Sequence, residues 1–166
     1  IYEPESKVKY SNAGIAVVGY VLEEMKGQAF ADYLSAQVLE PMGLTSSAFK
    51  PTPALNAHLA VGEMWSYDGR RFDAPTFELG MAPAGSMYAT ITDLGKFMSV
   101  LFNGGMGANG PILKKETLEQ MWEPQFGEEG NRNFGLGFAL DEQQGYRRVG
   151  HGCLLYTSDA ADEAKC

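Results

Sequence analysis

The 166-residue sequence predicts an α+β domain in which helices come first and an antiparallel sheet follows. Three observations support this class. Apolar residues recur at helical spacing through much of the chain before residue 122. Residues 134–140 change to an alternating apolar pattern, which is typical of a strand with one buried face. A polar turn and a second short strand come next, so the two strands are expected to form a hairpin.

Two helices are expected near the start of the chain. Residues 13–26 are apolar on nearly every side and are followed by Gly27, which predicts a buried helix with a glycine cap. Residues 29–40 place their large apolar side chains on one stripe, and Pro41 is expected to end that helix. Mixed composition with turn signals then predicts loops and short strands between residues 51 and 83.

Two more helices are expected before the sheet. Thr92 is predicted to cap a helix in which Asp93 lies in the first turn and residues 103–105 follow the last turn. A shorter helix is predicted for residues 114–122, because Pro124 prevents it from continuing much further.

The hairpin completes the expected order of elements. Residues 134–140 are predicted to form its first strand, residues 141–145 its loop and residues 146–150 its second strand. Gly135 and Gly137 share the face of the first strand opposite to the apolar residues. We expect another group to approach the backbone closely there.

Composition narrows the range of functions. The formal net charge is −8 and basic residues are not clustered, which argues against binding to nucleic acid. No apolar run is long enough for a membrane span. The only two cysteines are Cys153 and Cys166, so the first 152 residues contain no disulfide and no thiolate zinc site. We expect no metal and no other cofactor.

Tyr10-Ser11-Asn12 is the first candidate for a functional site. A tyrosine held near a lysine loses its proton more readily and can act as a general base, which typically contributes ~10²–10⁴-fold in rate. Asn12 offers a donor and an acceptor that suit a substrate amide. The alternative is an ordinary helix start, in which Ser11 or Asn12 caps the helix and Tyr10 packs beside it.

His151-Gly152 is the second candidate, at the end of the last predicted strand. A neutral imidazole can donate a hydrogen bond to a substrate carboxylate or carbonyl. A glycine next to it lets a ligand lie along the strand edge. The alternative is a histidine that simply occupies a turn.

Ser47 and Lys50 have the Ser-x-x-Lys spacing that lets a lysine accept the proton of a nucleophilic serine on a helix. The context does not suit this chemistry, because Pro51 and Pro53 prevent a helix from continuing. We therefore expect a structural role for Ser47.

Three blocks of the sequence together resemble the class C β-lactamase-like serine hydrolases. KYSNAGIAVVGYVLEEMKGQAFADYLSAQVLEPMGLTSSAF resembles the Tyr-x-Asn region of that family, and APAGSMYATITDLGKFMSVLFNGG resembles a later loop and helix. NFGLGFAL with YRRVGHG resembles the strand pair that carries the third motif. The resemblance covers residues 1–152. It implies part of the β-lactamase/transpeptidase-like fold, an antiparallel sheet flanked by helices with a helical subdomain.

The resemblance also implies roles for individual residues. Tyr10 matches the tyrosine that helps to move protons, and Asn12 matches the asparagine that contacts the acyl side of the substrate. His151 takes the first position of the third motif and Gly152 the second. A histidine there is common in esterase and peptidase relatives. The implied substrates are small molecules: β-lactams, small esters or D-amino-acid peptides. Relatives are often periplasmic or secreted.

The nucleophile is expected to be absent from this chain. In the family it belongs to a Ser-x-x-Lys on a helix far upstream of the tyrosine, whereas only nine residues precede Tyr10. We expect an internal fragment that is inactive by itself. Two alternatives stay open: a non-catalytic binding module of the same fold, and a helical domain whose motif matches are accidental.

The last 14 residues depart from the family pattern. Cys153 stands where relatives have glycine, and CLLYTSDAADE resembles one translation frame of a transposon-type sequencing adapter. We therefore expect a partial domain over residues 1–152 and a non-native tail over residues 153–166.

Overall fold

A computed structural model describes residues 3, 9–75, 80–125 and 133–152 of the chain. The chain divides into two compact units. The larger unit is Tyr10–Ile112, and the smaller unit combines Ile1–Lys9 with Leu113–Cys166. The predicted non-native tail, residues 153–166, lies outside the described residues.

The larger unit consists mainly of helices with two small antiparallel ladders. In chain order its elements are α1 (Asn12–Lys26), α2 (Phe30–Leu34), a π-helical turn (Ser35–Leu39), α3 (Glu40–Met42), α4 (Pro53–Asn56), β1 (Glu63–Trp65), β2 (Arg71–Asp73), α5 (Ala82–Gly85), α6 (Ile91–Phe102), β3 (Met106–Gly107) and β4 (Gly110–Pro111). β1 pairs with β2, and β3 pairs with β4.

The ends of α1 follow the sequence prediction. The Ser11 hydroxyl accepts a hydrogen bond of 2.9 Å from the Gly14 N–H, which satisfies one of the unpaired donors of the first turn. The helix ends at Gly27, whose φ of 61° lies in the left-handed region that glycine adopts at no steric cost.

The predicted burial of α1 is wrong for the described part of the chain. Only Gly19 is buried, while large apolar side chains such as Val17 and Val18 are exposed. The physical reason is that α5 covers α1 from one side, at the position where α1 has no side chain. A Cβ at Gly19 would lie 2.0 Å from Cγ of Pro83, so the two helices pack more closely than a side chain would allow.

The prediction that Pro41 ends the second helix is also wrong. α2, the π-helical turn and α3 form one continuous segment that ends beyond Pro41, at Gly43, with φ 72°. In the π-helical turn the Glu40 N–H donates to the Ser35 carbonyl, five residues earlier. This wider turn precedes the proline, whose ring would clash with the carbonyl four residues earlier in a regular α-helix.

The core of the larger unit lies where this segment meets α6. Its buried side chains are Leu39, Met42, Leu44 and Val100, with Val38, Phe49, Phe97 and Ile112 packed around them. The cap of α6 is Thr90 and not Thr92, because the Thr90 hydroxyl accepts a hydrogen bond of 3.2 Å from the Asp93 N–H. Thr90 and Asp93 have the three-residue spacing of a capping box.

The described residues of the smaller unit form one helix and a three-stranded antiparallel sheet. Its elements are α7 (Lys115–Met121), β5 (Asn133–Phe134), β6 (Ala139–Gln143) and β7 (Tyr146–Gly150), and the strand order is β5-β6-β7. Leu118 and Leu140 are its buried apolar side chains. Trp122 packs edge-on against Phe138, with ring centroids 6.5 Å apart. Helices and antiparallel strands together confirm the predicted α+β class.

Two details of the predicted hairpin need correction. Residues 134–140 are not one strand, because the chain leaves the ladder between β5 and β6, where Gly137 has a φ of 81°. The loop between β6 and β7 is shorter than predicted, since Gln143 already pairs with Tyr146. Positive φ values of 55° at Gln144 and 80° at Gly145 match the tight two-residue turn that suits twisted strands.

Candidate active site

Tyr10 and Asn12 lie on either side of the cap that starts α1. Ser11 between them has an extended backbone, with φ −148° and ψ 109°, and its hydroxyl is used in capping. The Tyr10 side chain is 56% exposed, and Asn12 is also exposed. The structural reading of Ser11 as the cap is therefore confirmed.

His151 and Gly152 follow directly after β7, in the smaller unit. The last pair of the ladder joins Ala139 to Gly150, so His151 is the first residue beyond the paired part of β7. The imidazole Nδ1 of His151 lies 3.1 Å from the main-chain carbonyl oxygen of Gly137. His151 and Gly152 are both exposed.

Gly135 and Gly137, the two glycines before β6, are required for different structural reasons. A Cβ at Gly135 would lie 2.1 Å from the carbonyl oxygen of Met121, so the close approach predicted from the sequence comes from the end of α7. Gly137 has open space around its Cα, but its φ of 81° is strained for any residue with a side chain.

Ser47 and Lys50 do not form a nucleophile and base. The Ser47 hydroxyl donates a hydrogen bond of 2.8 Å to Oδ2 of Asp93, whereas the Lys50 ammonium lies 3.6 Å from the Asp32 carboxylate. The chain has a second Ser-x-x-Lys spacing that sequence analysis missed, Ser6-Lys7-Val8-Lys9. Ser6 lies outside the described residues.

Asp93 is the one buried charged residue among the described residues, with 2% of its surface exposed. Its carboxylate accepts hydrogen bonds of 2.8 Å from the Ser46 N–H, the Ser47 hydroxyl and the Lys96 ammonium. Lys96 also donates to the Gly43 carbonyl at 2.6 Å. These bonds join the start of α6 to the loop after α3.

The charge state of Asp93 follows from these contacts. Burial raises the pKa of the carboxyl group, but the hydrogen bonds from Lys96, Ser47 and Ser46 and the charge of Lys96 outweigh it, so the pKa is lowered below its ordinary value. The carboxylate is therefore ionised at neutral pH. Sequence analysis placed Asp93 only in a helix turn, although the Thr90-x-x-Asp93 spacing indicated an organised helix start.

An open groove of about 720 Å³ lies beside this network in the larger unit. It is lined by residues of 45–60 and 88–90, including Ser46, His58 and Tyr88. Neither Tyr10 nor Asn12 contributes to it. The Ser47 hydroxyl on its wall donates to Asp93, whose lowered pKa makes that carboxylate a weak base for activating the serine.

The described residues contain neither a candidate metal site nor a candidate membrane span. In residues 3, 9–75, 80–125 and 133–152, no three histidine, cysteine, aspartate or glutamate side chains form a group that could hold a metal ion. No helix within these ranges is long and apolar enough to cross a membrane.

Comparison with known proteins decides the family. The family model described as Beta-lactamase matches residues 1–161, nearly the whole chain. The chain belongs to the beta-lactamase family. The match includes both motif regions, Tyr10 to Asn12 and His151 to Gly152. Members of this family are serine hydrolases, which confirms the resemblance found in the sequence.

Relatives of known sequence or structure agree with this assignment. A human beta-lactamase-like 1 protein is 29% identical over 154 residues, which is 90% of this chain and 29% of that protein. The octameric penicillin-binding protein homologue from Pyrococcus abyssi superposes with a TM-score of 0.77 at 23% identity, over 91% of this chain and 34% of that one. D-amino acid amidase from Ochrobactrum anthropi SV3 gives 0.69 at 26% identity, over 90% and 45%.

These superpositions confirm the β-lactamase/transpeptidase-like fold. The chain spans less than half the length of each of these three relatives. Other matched proteins include a penicillin-binding protein from Amycolatopsis lactamdurans and a D-alanine carboxypeptidase from Burkholderia cenocepacia.

Proposed function

We propose that this chain is part of a serine hydrolase that works through an acyl-enzyme on β-lactams, small esters or D-amino-acid peptides. The observation that carries the proposal is the family match across both motif regions. The names of the D-amino acid amidase and of the penicillin-binding proteins support the substrate classes.

Four residues of this chain are assigned roles in the reaction. Tyr10 moves protons between the nucleophile and the leaving group, and Asn12 binds the acyl side of the substrate through its amide. Their exposure at the capped start of α1 supports contact with a ligand. His151 and Gly152 border the substrate along the end of β7. A strand N–H there would stabilise the oxyanion, and losing one such donor typically costs about 10²–10³ in rate.

The choice among substrate classes rests on His151. A lysine at this position always presents a cationic donor, whereas a histidine can be neutral and can accept a hydrogen bond. We therefore favour esters and D-amino-acid peptides or amides over β-lactams as the physiological substrates.

The nucleophile is proposed to lie outside these 166 residues, on a Ser-x-x-Lys helix, so the chain alone is expected to be inactive. Ser47 supports this view, since its hydroxyl donates to Asp93 and Lys50 faces a different carboxylate. The second candidate function is a non-catalytic binding module of the same fold. An intact reading frame without an upstream Ser-x-x-Lys would favour it.

The test compares hydrolysis by the intact protein with hydrolysis by four variants. Chromogenic ester, D-alanine anilide and cephalosporin substrates cover the proposed classes. Tyr10→Phe should lower kcat by about 10²–10⁴-fold, as expected for loss of a general acid–base group. Tyr67→Phe is the matched control, because Tyr67 is fully exposed on the β1–β2 turn.

His151→Ala should lower kcat/KM, while His58→Ala should leave it unchanged. Equal activity of the Tyr10→Phe and Tyr67→Phe proteins on every substrate would refute the proposed role of Tyr10. Tight binding of a substrate without turnover, unaffected by any of the variants, would favour the binding module.

A further inference from the structure

The His151 imidazole is held by a main-chain acceptor. Its Nδ1 lies 3.1 Å from the Gly137 carbonyl oxygen, within hydrogen-bonding distance. A carbonyl oxygen can only accept a hydrogen bond, so Nδ1 must carry the hydrogen. We propose that Gly137 is a positioning residue that fixes neutral His151 as the Nδ1–H tautomer, in which the lone pair lies on Nε2. This inference rests on the proposed function for its catalytic meaning.

The turn that supplies this carbonyl is anchored on both sides. The Gly135 N–H donates to the Phe138 carbonyl at 2.8 Å, and the Leu136 N–H donates to the Met121 carbonyl at 2.9 Å. Gly135 also sits against Met121 so closely that a Cβ could not be accommodated. Because the turn is fixed to the end of α7, the Gly137 carbonyl has a defined position.

Backbone conformation directs the carbonyl to the imidazole. Gly137 has a φ of 81°, which a residue with a side chain adopts only with strain. The Ala139–Gly150 pair starts the ladder immediately beyond this turn and aligns His151 with it. A Cβ at this position would have nothing within 4 Å, so lack of space does not account for the glycine. We infer that glycine is needed here for the backbone conformation that orients the carbonyl.

The tautomer changes what His151 can do. With Nδ1–H committed to Gly137, a neutral His151 offers only a lone pair at Nε2, so it accepts a hydrogen bond or a proton from a substrate hydroxyl or amine. It can donate from Nε2 to a carboxylate or carbonyl only as the imidazolium. This assignment differs from the sequence-based expectation that neutral His151 donates to such groups.

The charged side chains nearest to His151 in the sequence are those of Arg147 and Arg148 on β7. The adjoining residues 134–140 carry no titratable side chain. Arg147 of β7 pairs with Glu119 at 2.9 Å, and Arg148 lies 3.4 Å from Asp141.

Nitrogen-15 NMR of the 166-residue chain tests the inference without any substrate. The chain has two histidines, so a His58→Gln variant assigns both imidazoles. At a pH where both are neutral, His151 should show a protonated Nδ1 and an unprotonated Nε2, while exposed His58 serves as the internal reference. An Nε2–H tautomer at His151, or averaging like that of His58, would overturn the proposal.

Glycine variants test the origin of the tautomer. Gly137→Ala should lose the preference for Nδ1–H, while Gly145→Ala should keep it. Gly145 is a matched control, since it has a φ of 80°, open space around its Cα and a place in the same sheet. An unchanged tautomer in Gly137→Ala would refute the positioning role. An inactive intact protein that still has the Nδ1–H tautomer would refute the proposed function alone.

Discussion

Replacement of Asp93 by alanine should strongly destabilise the larger unit. The substitution leaves the Ser46 N–H and the Ser47 hydroxyl without their acceptor, each at 2.8 Å in the intact network. Hydrogen bonds to a charged group contribute about 1.5–3 kcal/mol each. Lys96 adds little, because its side chain is 41% exposed and can bind water instead. We expect a loss of about 3–6 kcal/mol, which is the sum of these two hydrogen bonds.

Urea unfolding of the 166-residue chain, followed by circular dichroism, measures this loss. Asp32→Ala is the matched control, because Asp32 also faces a lysine in the same unit but is 60% exposed. Its removal should cost less than about 1 kcal/mol. Equal shifts of the unfolding midpoint in Asp93→Ala and Asp32→Ala would contradict a stabilising role of the buried Asp93 contacts.

Acid provides a second readout of the same carboxylate. The folded pKa of Asp93 is lowered, so its stabilisation is fully present above the unfolded pKa of about 3.9 and is lost as the pH falls through the folded value. The unfolding midpoint of the native sequence should therefore fall below about pH 4 more steeply than that of Asp93→Asn. Parallel pH profiles would contradict the ionised, hydrogen-bonded state.

Three further predictions concern other parts of the chain. Gly19→Ala should destabilise by about 1–3 kcal/mol through a clash with Pro83, while Gly95→Ala, at an open helix position, should not; thermal melting compares them. Ser47→Ala should cost about 1.5–3 kcal/mol in urea unfolding, because it removes one hydrogen bond to the Asp93 carboxylate. It should leave hydrolysis by the intact protein unchanged, and abolished turnover would identify Ser47 as the nucleophile. Genomic DNA sequenced across the codons for Gly152 and Cys153 should not encode residues 153–166. Finding these codons directly after Gly152 would establish a native tail.

Local signals in the sequence predicted much of the secondary structure. Ser11 and Gly27 mark the ends of α1 because capping depends on a few neighbouring atoms. The limits predicted for α7 and β7 also agree with the structure to within one residue. The prediction of burial failed where it depends on contacts with residues distant in the sequence. Whether α1 is buried depends on what covers it, and a close-packed glycine such as Gly19 carries no pattern of its own.

The remaining errors in the predicted fold arise where the backbone adopts a less common conformation. Pro41 normally ends a helix, but a π-helical turn before it allows the helix to continue, and no apolar pattern distinguishes the two cases. Alternation over residues 134–140 is real, yet Gly137 turns the chain out of the ladder. The alternating pattern therefore located the strand pair, whereas the residues with positive φ determine where each strand begins and ends.

The candidate site was only partly predictable. Tyr10, Asn12, His151 and Gly152 came from motif resemblance, and their assigned roles stay predictions. The Gly137 carbonyl next to His151 could not be anticipated, since it depends on the register of β6 and β7 and on the conformation of one turn.

Covalent labelling of the intact protein tests the central claim most directly. The protein is incubated with a β-lactam or an activated ester, digested, and the acylated peptide is located by mass spectrometry. We expect the acyl group on the serine of a Ser-x-x-Lys helix upstream of Ile1. Acylation of Ser6, Ser47 or any other residue of this chain would contradict it.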